Sequence, residues 1–82
     1  MKKPKHKNIT GKQIREQRVF HDPPISQTDL AYCATKQGVP LDQGAISRIE
    51  GRGRTVSDYE LRAIARCLGV SIDMLFGGKK QT

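Results

Sequence analysis

The sequence predicts an all-α fold, a compact bundle of about five short helices, and three observations carry that expectation. Residues suited to helix N-caps stand ahead of each apolar segment, at Thr10, Ser26, Asp42, Ser57 and Ser71. Apolar residues recur at helical intervals, most regularly at Leu61, Ile64, Ala65 and Leu68. No run alternates between apolar and polar residues as a half-buried strand would. A chain of 82 residues that is 35% hydrophobic can bury one small core. Residues 9–77 are expected to build it, between a flexible basic arm at 1–8 and a flexible polar tail at 78–82.

The elements follow in order. Thr10-x-x-Gln13 has the form of a capping box and predicts a helix from Thr10 through Ile14 and Arg18 to Phe20, stopped by Asp22-Pro23-Pro24. Ser26, with Asp29 three residues on, opens a second helix whose inward stripe is Leu30, Ala31 and Ala34; Gly38 is its left-handed terminator. Asp42 caps a third, over residues 42–51, which closes near Gly51 and Gly53. Ser57-x-x-Glu60 is a second capping box, ahead of the most periodic segment, and Gly69 ends that helix. Ser71 caps a last short helix in which Ile72, Leu75 and Phe76 close the core.

The net charge of +7 suggests a polyanionic partner, but its distribution weakens that argument. Lys2, Lys3, Lys5, Lys7, Lys79 and Lys80 lie in the two ends, which leaves nine Lys and Arg against eight Asp and Glu between them. Pattern is more informative than total charge. Arg48, Arg52 and Arg54 cluster around the third helix, opposed locally by Glu50 alone. Scattered Phe20, Tyr32, Tyr59 and Phe76 make no base-stacking platform, which argues against single-stranded or RNA targets.

Other chemistries lack their residues. Cys33 and Cys67 are far apart in the chain, His6 and His21 flank neither, and no metal-ligand spacing occurs, so no metal or cofactor is expected. The two cysteines read as small core or boundary residues of a reduced, cytoplasmic protein, since no signal peptide or membrane span is visible. No Ser-His-Asp set, paired-carboxylate cleft or phosphate-cradling glycine loop can be assembled, so an enzyme is not expected.

The third helix carries the most informative pattern. Ile46, Ile49 and Glu50 fall on one side, while Gly44, Ser47, Arg48 and Gly51 fall on the other. That outward face has little to bury and much to recognise with. Arg48 suits guanine as a bidentate donor and Gln43 suits adenine, while Ala45 can meet a thymine methyl. Small Gly44 and Ser47 allow the backbone close to the duplex.

Four segments then resemble one family in the right order: Gly11-Lys12-Gln13-Ile14-Arg15-Glu16-Gln17-Arg18, Ser26-Gln27-x-x-Leu30-Ala31, Ile46-Ser47-Arg48-Ile49-Glu50 and Leu61-x-x-Ile64-Ala65-x-x-Leu68-Gly69-Val70. This pattern is similar to the phage repressor and Cro-type (XRE-like) helix-turn-helix family, across about the whole of 9–77. The resemblance implies a lambda-repressor-like fold in which the second and third helices form the helix-turn-helix and the third enters the major groove. It implies that Gln27 touches a phosphate and buttresses Gln43. By the same resemblance Gln43, Gly44, Ala45, Ser47 and Arg48 face bases or nearby backbone, and Arg18 and Glu50 form a structural ion pair. Arg52 and Arg54, past the helix end, are expected to neutralise phosphates.

The departures from the family pattern are specific. The stretch between Ala31 and Ile46 is longer than in the commonest members, so that either the second helix gains a turn or the connection is enlarged around Val39-Pro40-Leu41. A second extension lies at Phe20 to Pro24, and Thr55-Val56-Ser57 replaces a frequent proline. The expected function is a sequence-specific double-stranded DNA-binding transcriptional regulator, a repressor working as a homodimer, with Met74-Leu75-Phe76 as the dimer patch. The alternative is a protein-interaction module such as an antitoxin.

Overall fold

The computed structural model describes residues 9–51 and 53–75. The expected arm at 1–8, Arg52, Phe76 and the tail all lie outside them. Five helices follow in order: α1 Ile9–Val19, α2 Gln27–Lys36, α3 Gln43–Gly51, α4 Asp58–Leu68 and α5 Ile72–Leu75. Among the described residues there is no strand, and no helix is long and apolar enough to cross a membrane.

The helix ends follow from local chemistry. Ser26 accepts a hydrogen bond from the Asp29 backbone N–H at 2.9 Å and starts α2. Asp42 does the same for Ala45 at 2.7 Å and starts α3. Ser57 and Glu60 complete a reciprocal capping box, at 3.3 and 3.0 Å. Ser71 Oγ accepts from the Met74 N–H at 3.3 Å ahead of α5. Gly38 and Gly69 terminate α2 and α4 in the left-handed region, with φ of +87° and +73°. The expected Thr10 cap is not formed, because α1 is already helical at Ile9 and Thr10 lies within it.

One core joins the elements, centred on the fully buried side chains of Ile14, Leu30, Leu41, Ile46, Ile49, Ile64 and Leu75. Helix α2 packs on α3 and α4, while α1 packs on α3, α4 and α5. Leu75, expected in part at a dimer surface, belongs to this core, and of that patch only Met74 is exposed among the described residues. Helix α2 runs to Lys36, and residues 37–42 form the connection to α3. Leu41 is buried and Val39 packs against the core, so the connection is braced rather than loose.

The cysteines depart from expectation. Cys33 of α2 and Cys67 of α4 are joined in a disulfide, with Cα atoms 6.0 Å apart. Cys33 pairs with Cys67 while Gln37, one turn later, donates to the Ala63 carbonyl, one turn earlier, so α2 and α4 run antiparallel. That packing brings together two residues separated by 34 positions. They are therefore neither reduced nor independent boundary residues.

Candidate nucleic-acid interface

Helix α3 is held from below and open above. Ala45, Ile46 and Ile49 are buried, whereas Gln43 and Arg48 are exposed and Gly44 and Ser47 half-buried on the far side. Ala45 is 7% exposed and shares the inward side with Ile46 and Ile49 at i, i+1, i+4, with what remains of its surface at the edge of a groove beside Arg48. That leaves Ala45 little surface to offer a thymine methyl.

A chain of polar contacts anchors the exposed face to the interior. Arg18 of α1 donates from Nε and Nη2 to the two carboxylate oxygens of Glu50, each at 2.8 Å. Its third donor, Nη1, reaches the Ile25 carbonyl at 3.0 Å and fastens the α1–α2 connection. The side chains of Arg18 and Glu50 are only 12% and 3% exposed. Hydrogen bonding to Glu50 pushes the Arg18 pKa up, burial pulls it back, and the Glu50 charge adds to the rise.

The same carboxylate sets the polarity of what lies above it. Gln27 Nε2 donates to Glu50 Oε1 at 3.1 Å, which leaves Gln27 Oε1 as an acceptor. Gln43 Nε2 donates to that oxygen at 2.6 Å. Because a carboxylate only accepts, the order of donors and acceptors is dictated from Glu50 outward. Gln43 is left with its carbonyl oxygen and one N–H unspent, the pair that matches the N6 donor and N7 acceptor of adenine.

Arg48 lies back along its own helix. A methyl group at Gly44 would come 3.3 Å from Arg48 Nη1 and 3.5 Å from Asp42 Oδ1. Glycine at this position thus leaves room for the guanidinium beside α3. The guanidinium borders a groove of about 310 Å³ that is also lined by Thr35, Pro40, Leu41, Asp42, Ala45 and Arg54. The α2–α3 connection consequently forms one wall of the groove and leaves Gln43 and Arg48 uncovered.

Arg54 is less available than expected. It forms an ion pair with Glu60 at 3.4 Å and donates to the Thr55 carbonyl at 3.1 Å, so Glu50 is not the only acid near the arginine cluster. Burial raises the Glu60 pKa, but hydrogen bonds from Ser57 and Arg54 and the Arg54 charge outweigh it, and the net shift is downward. Glu60 therefore serves two elements, the α4 cap and the loop after α3. Sequence reasoning passed over Asp42 as a groove wall, Gln37 beside the disulfide, and Gly11 beneath α3. A glycine inside an otherwise helical pattern was the one available signal for Gly11. Among the described residues no cluster of His, Cys, Asp and Glu could hold a metal ion.

No protein-family model matches this chain, and neither a curated protein nor a solved structure matches it.

Proposed function

We propose that this chain is a sequence-specific double-stranded DNA-binding regulator, a repressor in which α2 and α3 act as a helix-turn-helix and α3 enters the major groove. The observation that carries this reading is the Arg18–Glu50–Gln27–Gln43 chain, which orients an exposed amide from a buried charge. A solvated surface glutamine needs no such support. Preorganising the amide lowers the entropy lost when it meets a base. Arg48 supplies a second reader on the same face, Gly44 and Ser47 allow close approach, and Gln27 stands where the α2 N-terminus can meet a phosphate. Repression would follow from occupying a site, since no catalytic group is required.

The proposed working form is a homodimer that places two α3 helices about one DNA turn, roughly 34 Å, apart. Selection of bound sequences from random duplex DNA is expected to return a palindrome with half-sites at that spacing. Failure to enrich any motif at moderate salt would reject the reading. Arg48→Ala is expected to cost about 1–3 kcal/mol at particular base pairs, measured by binding to single-base variants of the selected site. Arg54→Ala is expected to weaken selected and random duplexes alike. Equal losses on both kinds of DNA for Arg48→Ala would remove its reading role.

A protein-interaction module of the antitoxin type is the second reading, favoured by Val19 and Phe20, which stand 43% and 79% exposed side by side at the end of α1. A stoichiometric protein partner that co-purifies and is released by Phe20→Ser would support it.

A further inference from the structure

We propose that Cys33 and Cys67 form a reversible thiol–disulfide site that regulates α3, with the disulfide form competent for DNA. The inference rests on the DNA-binding reading above, because it concerns how that activity is switched. Three observations converge on it.

The first is topological. The bridge closes a ring spanning 34 positions that contains the connection 37–42, all of α3 and the loop before α4. Gln43, Gly44, Ser47, Arg48 and Arg54 lie inside this ring, and only Gln27 among the proposed contacts of the described residues lies outside it. Severing the bridge frees the ends of the segment that carries the reading face, and local opening becomes easier.

The second is access. Both cysteines are half-buried rather than sealed in the core. Gln37 Nε2 is 2.9 Å from Cys67 Sγ and 3.8 Å from Cys33 Sγ, and it also donates to the Ala63 carbonyl at 3.1 Å. Gln37 and Ala63 in turn line a groove of about 250 Å³ with Val39, Tyr59, Arg62 and Arg66. Among the described residues no acidic side chain lines that groove, so it suits a small anionic thiol such as a carboxylate-bearing peptide thiol. The third is chemical context. A DNA-binding protein works among reduced thiol pools, where disulfides are rare and those that form are usually redox-sensing.

The reaction is thiol–disulfide exchange. The thiolate of one cysteine attacks a low-molecular-weight disulfide, forming a mixed disulfide and expelling one thiolate. The second cysteine, as its thiolate, attacks the protein sulfur and expels the other. The cysteine pair loses two electrons and two protons, and the small disulfide becomes two thiols. Reduction is the reverse, driven by excess thiol.

The full chain equilibrated in glutathione buffers of graded oxidised-to-reduced ratio tests this. Maleimide labelling counts free thiols, amide hydrogen exchange follows Gln43–Gly51, and binding is measured to the selected duplex. Reduction is expected to expose two thiols reversibly and to lower Tm by roughly 15–25 °C. It is also expected to speed exchange in α3 by about tenfold and to weaken duplex binding over the same buffer range. The double variant Cys33→Ser/Cys67→Ser is expected to match the reduced protein in every buffer. A bridge that survives millimolar reduced glutathione in the native protein, or reduction that leaves α3 exchange and duplex affinity unchanged, would overturn the proposal. Duplex binding indifferent to redox state removes only the switch. Absence of duplex binding in both redox states removes the DNA reading and the switch together.

Discussion

Arg18→Ala is expected to lower the stability of the fold by about 3–5 kcal/mol. The size follows from what is left behind. Glu50, 3% exposed, loses the guanidinium that satisfies both of its oxygens and keeps one bond from Gln27. A carboxylate in that position is left without a counter-charge. The Ile25 carbonyl loses its donor too, and the α1–α2 connection loosens. Replacing both partners together, as Arg18→Met with Glu50→Leu, is expected to cost much less, since no charge is then stranded. Urea denaturation of the two single variants and the double variant completes the cycle, and equal losses for all three would contradict a charge-stranding origin. The double variant should nevertheless bind its selected duplex poorly, because Gln27 no longer has a carboxylate to orient it and Gln43 loses its fixed polarity.

Gly11→Ala is expected to be comparably damaging, at about 3 kcal/mol or more. Alanine ordinarily favours a helix over glycine by about 1 kcal/mol. Here the added methyl would overlap the Ile49 carbonyl oxygen and crowd the Glu50 Cα. These are backbone atoms of α3 and cannot step aside as the end of a flexible side chain does. Helices α1 and α3 must therefore separate, which pulls Arg18 away from Glu50 and tilts the reading face. Lys12→Ala, one residue along on the exposed side of α1, should stay within about 0.5 kcal/mol of the parent. Thermal unfolding of the pair separates the two cases, and an unchanged Tm for Gly11→Ala would show that the helices tolerate wider spacing.

These two residues also show where the sequence is legible and where it is not. Helix number and order follow from caps and periodicity, because a Ser57–Glu60 box or a Gly69 terminator is chemistry within a few residues. Thr10 misled for the same local reason: its spacing to Gln13 fits a cap, yet it also fits the helix interior that α1 makes of it. Ala45 misled because a small side chain carries no hydrophobic signal, and only packing places it with Ile46 and Ile49. The Cys33–Cys67 bond requires the antiparallel packing of α2 on α4, which no spacing rule supplies. The need for glycine at position 11 arises across an α1–α3 contact between residues far apart in the chain. The outward side of α3 is readable because its amphipathic pattern is internal to one helix, whereas the order of donors from Glu50 to Gln43 arises only where α1, α2 and α3 meet.

If the face of α3 bearing Gln43 and Arg48 meets the bases, duplex binding must perturb that face. Chemical-shift mapping of isotope-labelled protein titrated with its selected duplex tests this most directly. The largest changes are expected at the Gln27 and Gln43 side-chain amides, at the backbone of Gly44 and Ser47, and at the Arg48 guanidinium, with α5 and the outer face of α4 unaffected. Saturation with duplex that leaves those α3 signals unmoved, or that moves the α4 and α5 surface instead, would contradict it.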